Sequence, residues 1–119
     1  MNEPRAGHYS TSIKAGSLVF TSGVLPILNR ETKETPETIE EQCLFVLNKI
    51  EEIIGEYGLN RKNILKTTVF ISNGDDWSTV NEIYYQFFGD HKPTRSIIPV
   101  SELHYGAKIE IEAIASIPN

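Results

Sequence analysis

The sequence predicts an α+β fold of order ββαβαββ, a mixed sheet with two helices packed on one face. Three observations predict it. Two stretches place apolar residues at helical spacing, five short stretches are rich in β-branched or alternating residues, and the strands are interleaved with the helices rather than grouped. With 119 residues the chain is long enough for one core and too short for two, so a single domain over residues 1–119 is expected.

The elements follow in order. Residues 9–14 and 18–22 flank Ala15-Gly16, a tight-turn pair, and read as a hairpin. Residues 29–36 are polar and form the loop with most freedom to move. Residues 38–57 read as a helix, with Ile39, Cys43, Val46, Leu47, Ile50, Ile54 and Tyr57 on one stripe. Thr38 and Glu41 have capping-box spacing, Glu37, Glu40 and Glu41 suit the positive end of the dipole, and Gly58 is a left-handed stop. Residues 64–72 are a β-branched strand. Residues 76–88 form the second helix, capped by Asp75 or Asp76 and ended by Gly89, with Trp77, Val80, Ile83, Tyr84, Phe87 and Phe88 as its stripe. Residues 94–100 follow Pro93 as a strand. In residues 108–116, Ile109, Ile111, Ala113 and Ala115 face one way and Lys108, Glu110, Glu112 and Ile114 the other.

Two helices cover one face of such a sheet. Yet Leu18 and Phe20 oppose Val19 and Thr21, and Ile98 and Val100 oppose Ile97, so both faces carry apolar residues. A sheet apolar on both faces requires a second cover, and another copy of the chain is the expected one: a homo-oligomer.

Composition narrows the function classes. A net charge of −5, with 11 Lys and Arg spread along the chain, leaves no basic stripe for a nucleic-acid partner. No apolar run reaches membrane-spanning length, so no membrane partner is expected. The first residues lack a secretion signal's apolar core, which reads as cytoplasmic. Cys43 is the lone cysteine and falls on a helix stripe, as a small buried hydrophobe would. His8, His91 and His104 lie far apart, without metal-ligand spacing, and no phosphate-binding or nucleotide-binding glycine motif occurs. Neither a metal nor a cofactor is indicated.

Few residues remain for chemistry. Arg95 opens the strand in Pro93-Thr94-Arg95-Ser96-Ile97, beside the apolar Ile97. A guanidinium there either pairs with a protein carboxylate or awaits one on a ligand, which its fork matches bidentately; on spacing alone a structural ion pair is the commoner outcome. Glu110 or Glu112, two residues apart on one side of the last strand, could orient a water or move a proton. Tyr9 offers an apolar body and a hydroxyl tip for closing a pocket. Ser22-Gly23 ends the second strand where backbone N–H groups could approach a ligand. Asn81 lies off the apolar stripe of the second helix, facing a loop or a ligand.

Eight stretches in order resemble one family: Gly7-His8-Tyr9-Ser10, residues 18–23 (LVFTSG), 40–42 (EEQ), 64–71 (ILKTTVFI), 80–84 (VNEIY), 87–89 (FFG), Pro93-Thr94-Arg95-Ser96 and 109–115 (IEIEAIA). The chain resembles the reactive-intermediate deaminase (Rid, or YjgF) family, and its RidA branch in particular. The resemblance implies a chorismate-mutase-like fold and a homotrimer with ligand clefts between subunits. It implies hydrolysis of 2-imino and 2-enamino acids, such as 2-iminobutanoate and 2-iminopropanoate, to 2-oxo acids and ammonia. It assigns Arg95 to the substrate carboxylate and Glu110, rather than Glu112, to the attacking water. Tyr9, Ser22, Gly23 and Asn81 match cleft positions, and Ile97 stands where a cysteine is frequent, near a backbone amide that meets the ligand. His8 replaces a usual proline, the loop before residue 37 lacks a usual glycine, and His104-Tyr105-Gly106 stands where Pro-Lys-Gly is common. From other classes, a non-catalytic module binding a small carboxylate or a protein partner stays open; ribonuclease activity is disfavoured by the acidic charge, and chorismate mutase activity by the scarcity of cations.

Overall fold

The computed structural model describes residues 7–118; the N-terminal residues read for a leader lie outside them. Strands β1 (Ser12–Ala15), β2 (Leu18–Thr21), β3 (Ile64–Ile71), β4 (Thr94–Pro99) and β5 (Ile109–Ser116) and helices α1 (Ile39–Gly55) and α2 (Trp77–Phe88) follow one another as ββαβαββ. The sheet order is β1-β2-β5-β3-β4, with β3 and β4 parallel and every other pair antiparallel. Strand β4 is therefore an edge, and β5 lies at the centre.

Register sorts the side chains. Pairing of Val19 with Ala115, Ala113 with Thr67, Ile111 with Val69, and Thr67 with Arg95 puts these residues on one face. That face carries both helices. Val46, Leu47, Ile50 and Ile54 of α1 and Val80, Tyr84, Phe87 and Phe88 of α2 share one core with Val19, Val69 and Ile111. The opposite face holds Ile13, Phe20, Phe70, Ile98, Glu110 and Glu112. Ile13 is 56% exposed, Phe20 39% and Ile98 41%. The two-sided apolar strands are thus real, and no described residue of the isolated chain forms a layer over the second face.

Local signals account for most boundaries. Thr38 and Glu41 form the capping box at the start of α1. Gly58 follows α1 with φ of 77°, which a side chain would strain. Three expectations need correction. Strand β1 starts at Ser12 rather than residue 9: the hairpin pairing runs out at Thr11 O, which accepts from Ser22 N–H at 3.0 Å, and ahead of it the chain is met by the Ser22 side chain rather than by a backbone ladder. Trp77 is not part of the buried stripe of α2; it is 47% exposed at the first helical turn. Asp76 precedes α2 without a side-chain cap, and Asn73 caps the preceding turn through Asp75 N–H at 2.9 Å. The polar loop is not featureless: Asn29 Oδ1 accepts from the N–H groups of Glu31 (2.8 Å) and Thr32 (3.2 Å). Such Asx bonding gives a short polar segment its own turn.

One buried polar residue ties the layers together. Gln42 of α1 donates to Pro36 O at 2.7 Å and accepts from Lys108 N–H at 2.8 Å, at the threshold of β5. A helical pattern of apolar residues does not reveal it, because the position is polar. Among the described residues no helix is long and apolar enough to cross a membrane.

Candidate active site

Arg95 stands on the helix-bearing face of the edge strand β4. Its guanidinium lies 5.0 Å from the Tyr84 ring centroid and 5.4 Å from that of Trp77. Both rings come from α2, and both bind a cation through their π faces. Tyr84 is held in place by its hydroxyl, 2.8 Å from that of the fully buried Thr67, the residue paired with Arg95 across the sheet. Burial pushes the Tyr84 hydroxyl well above the ordinary tyrosine range, so it remains protonated beside the cation. Among the described residues Arg95 has neither an ion pair nor a side-chain hydrogen bond; the two ion pairs found there are Lys49–Glu52 and Glu51–Arg61. Its partner is not a carboxylate of the described chain. An open cavity of about 350 Å³ adjoins it, lined by Asn81 and Tyr85 of α2 and by His91 and Lys92 of the following turn. Ile97 packs on the same face, two residues along β4.

Glu110 stands on the other face. It pairs with Phe70 across β5 and β3, while its neighbours Ile109 and Ile111 enter the core. The segment after β2 reaches it because Val24 and Ile111 exchange backbone hydrogen bonds of 2.8 and 3.2 Å, extending the pairing of β2 with β5 past its end. Gly23 is thereby set against Glu110. A Cβ on residue 23 would run into the Glu110 carboxylate oxygen and lie 3.0 Å from its Cδ. Burial holds the Glu110 carboxyl above the usual glutamate range; His104 draws it down and Glu112 adds a smaller upward push. Ser22 lies next to Gly23 with its hydroxyl donating to Ser10 O at 2.6 Å. Tyr9 is 66% exposed, with its ring folded back toward Gly7.

The candidates therefore form two groups: Arg95, Asn81 and Ile97 on the helix face, and Glu110, Gly23, Ser22 and, through the Ser10 segment, Tyr9 beside the opposite face. One chain does not bring Arg95 and Glu110 to a common cleft, since the sheet separates them. Tyr84, Trp77 and Lys92 join the Arg95 group although spacing did not single them out. Tyr84 and Trp77 had the signature of core aromatics, and no sequence pattern marked Lys92. Cys43 is buried, its thiol pushed up to about 12 chiefly by that burial, and serves packing.

The sequence profile of the family described as endoribonuclease L-PSP matches residues 1–117. TdcF of Escherichia coli (strain K12) is 41% identical over 112 residues, 92% of this chain and 86% of that protein. YyfA of Yersinia pestis, a protein of the Rid family, is 38% identical in sequence and superposes with a TM-score of 0.86, covering 95% of this chain and 90% of that one. This chain belongs to the Rid family. Other Rid relatives agree with that membership. The 2-iminobutanoate/2-iminopropanoate deaminase of E. coli (strain K12) is 39% identical over 118 residues, 96% of this chain and 91% of that protein. The crystal structure of E. coli TdcF with bound serine superposes with a TM-score of 0.87 at 39% identity, covering 96% of this chain and 91% of that one. The α+β architecture of mixed sheet and two helices is common to these Rid proteins, and relatives named as deaminases of reactive intermediates support a deaminase role for this member.

Proposed function

We propose that this Rid protein hydrolyses 2-iminobutanoate, 2-iminopropanoate and similar 2-imino or 2-enamino acids to 2-oxo acids and ammonia. It does so as a homotrimer of chorismate-mutase-like subunits with clefts between chains. The observation that carries the reading is the Arg95 guanidinium, partly buried on an aromatic bed with no anion of the described chain to satisfy it. A charge so placed is matched by a small carboxylate, which the fork takes bidentately.

Glu110 supplies the second function. Because the sheet separates it from Arg95 in one chain, the cleft forms where β4 of one copy meets the Gly23–Glu110 region of the next. Asn81 and Ile97 line the Arg95 side, and Tyr9, Ser22 and Gly23 the Glu110 side. A water held by Glu110 gives up a proton as its oxygen bonds to C2 of the imine. The C=N π pair moves to nitrogen, which takes that proton back from Glu110, giving a carbinolamine. Glu110 then takes the carbinolamine hydroxyl proton and passes it to nitrogen as the C=O bond forms, the C–N bond breaks and ammonia leaves, yielding the 2-oxo acid and ionised Glu110. The imine carbon is already electrophilic, so positioning and one proton relay suffice. The mechanism uses no metal step and no covalent nucleophile.

The test couples the purified protein to a pyridoxal-phosphate threonine dehydratase and follows imine decay and 2-oxobutanoate formation. Acceleration that depends on Arg95 is expected. Wild-type acceleration by a folded Arg95→Ala protein would overturn the assignment. The separation of Arg95 from Glu110 favours one other reading: a chain that holds the anion site without the base is a carboxylate-binding module. Retained binding of 2-oxobutanoate with no acceleration would select it. The endoribonuclease description of the family gains no support from a chain of net charge −5 without a basic stripe.

A further inference from the structure

We propose that the Arg95 cavity selects 2-imino and 2-oxo acids bearing a second carboxylate, with Lys92 as the group that reads it. The proposal rests on the deaminase reading for the reacting end of the ligand and on Arg95 as the first clamp.

Lys92 and Arg95 line the same cavity, and no Asp or Glu among the described residues of the same chain lines it with them. Neither cation belongs to an ion pair among the described residues. The chain carries −5 overall, so two uncompensated positive charges in one concavity run against its general character. A concave site concentrates their field on an incoming anion. A monocarboxylate answers one of them; a dicarboxylate answers both.

The rim around Lys92 is built rather than loose. His91 immediately before it donates from Nε2 to Ile64 O at 2.7 Å, and its ring meets that of Phe88 edge-on at 6.0 Å between centroids. Pro93 immediately after it has φ fixed by its own ring. The Lys92 backbone is pinned on both sides, one residue from each anchor, so the root of its exposed side chain is fixed at the cavity wall. Space agrees with charge. The cavity measures about 350 Å³. The seven non-hydrogen atoms of 2-iminobutanoate fill at most roughly 200 Å³, allowing each the ~30 Å³ share of a liquid water. A longer acid fits, with its 2-carboxylate in the Arg95 fork and its distal carboxylate at Lys92. An ammonium is a point charge and accepts a carboxylate over a range of directions, so four- and five-carbon dicarboxylates are both admitted.

The experiment measures binding, not turnover. Calorimetric titration of the full-length protein with 2-oxobutanoate, oxaloacetate and 2-oxoglutarate gives the ratio of dicarboxylate to monocarboxylate affinity. Wild type is expected to favour at least one dicarboxylate by about two- to fivefold, the range of an exposed ion pair. Lys92→Gln should bring that ratio to about one and Lys92→Glu below it, while high salt should compress it in wild type. No dicarboxylate preference in wild type, or a preference unchanged in Lys92→Gln and Lys92→Glu, overturns the proposal. Because binding is read directly, a protein that keeps the preference yet accelerates no imine's decay would refute the deaminase reading alone. One that hydrolyses 2-iminobutanoate without the preference would refute the dicarboxylate proposal alone.

Discussion

The surroundings of Arg95 and those of Glu110 are built on opposite principles. Around Arg95 the described residues supply aromatic faces and no counter-charge, so the cation is sheltered and unsatisfied among them. Around Glu110 it supplies burial and a glycine without a side chain, so the carboxyl is partly desolvated and its proton is held more firmly. On the proposed reading the first binds an anion and the second exchanges a proton. The sheet between them prevents either from neutralising the other within one chain. Their separation makes assembly a condition of the proposed chemistry.

The sharpest way to break this comparison is to delete one half at a time and then mix the remnants. Arg95→Ala and Glu110→Ala should each lower imine hydrolysis by about 10²–10³-fold, the range for losing a charge-assisted clamp or a positioned base. Co-assembled Arg95→Ala and Glu110→Ala chains should then recover activity in about a quarter of their clefts, since each cleft of a heterologous interface draws one half from each of two chains. Activity no higher than that of the single variants, in verified mixed oligomers, would mean that the halves do not meet between chains.

Next comes Glu110→Gln, which keeps the shape and removes the base. A loss of about 10²-fold in kcat is expected with 2-oxobutanoate binding retained. The raised Glu110 carboxyl also fixes a pH dependence. Hydrolysis needs the ionised form, so the acid limb of the wild-type rate profile should lie above the ordinary glutamate range. Stability runs the other way. The folded state holds this proton more tightly than the unfolded chain does, so the associated stabilisation is full below the unfolded pKa and is lost as pH rises through the folded one. Chemical denaturation across pH should show that slope in wild type and lose it in Glu110→Gln.

Gly23→Ala tests the contact rather than the charge. The new methyl meets the end of a flexible glutamate, so the fold should survive within about 1 kcal/mol while the carboxyl is displaced, with kcat falling about tenfold. Equal kcat in wild type and Gly23→Ala would show that the carboxyl position is not critical. The smallest effect is expected at Trp77, which stacks near Arg95 while 47% exposed. Trp77→Leu should weaken 2-oxobutanoate binding by about two- to fivefold, an exposed cation–π contribution of about 0.5–1 kcal/mol acting through Arg95.

Much of this molecule was legible in one dimension. The α1 stripe and its Thr38–Glu41 box, the alternation of β5 and the Gly58 stop are short-range patterns, and short-range physics reproduces them. The resemblance picked Arg95 and chose Glu110 over Glu112. Trp77 was misread because a first-turn aromatic at the right spacing can face solvent when the sheet ends beneath it. Gln42 was missed as a tie between α1 and β5 because its partners, Pro36 and Lys108, are distant in sequence.

The sequence by itself determined the elements, the two-sided apolar sheet and the residue types available for chemistry, because periodicity and capping act within a few residues. Only the tertiary structure decided that Arg95 goes unpaired among the described residues, that Tyr84 and Trp77 are its bed, that Lys92 shares its cavity, and that Glu110 lies across the sheet from it. Those facts depend on the β1-β2-β5-β3-β4 order and its register, which bring together residues that no local pattern relates.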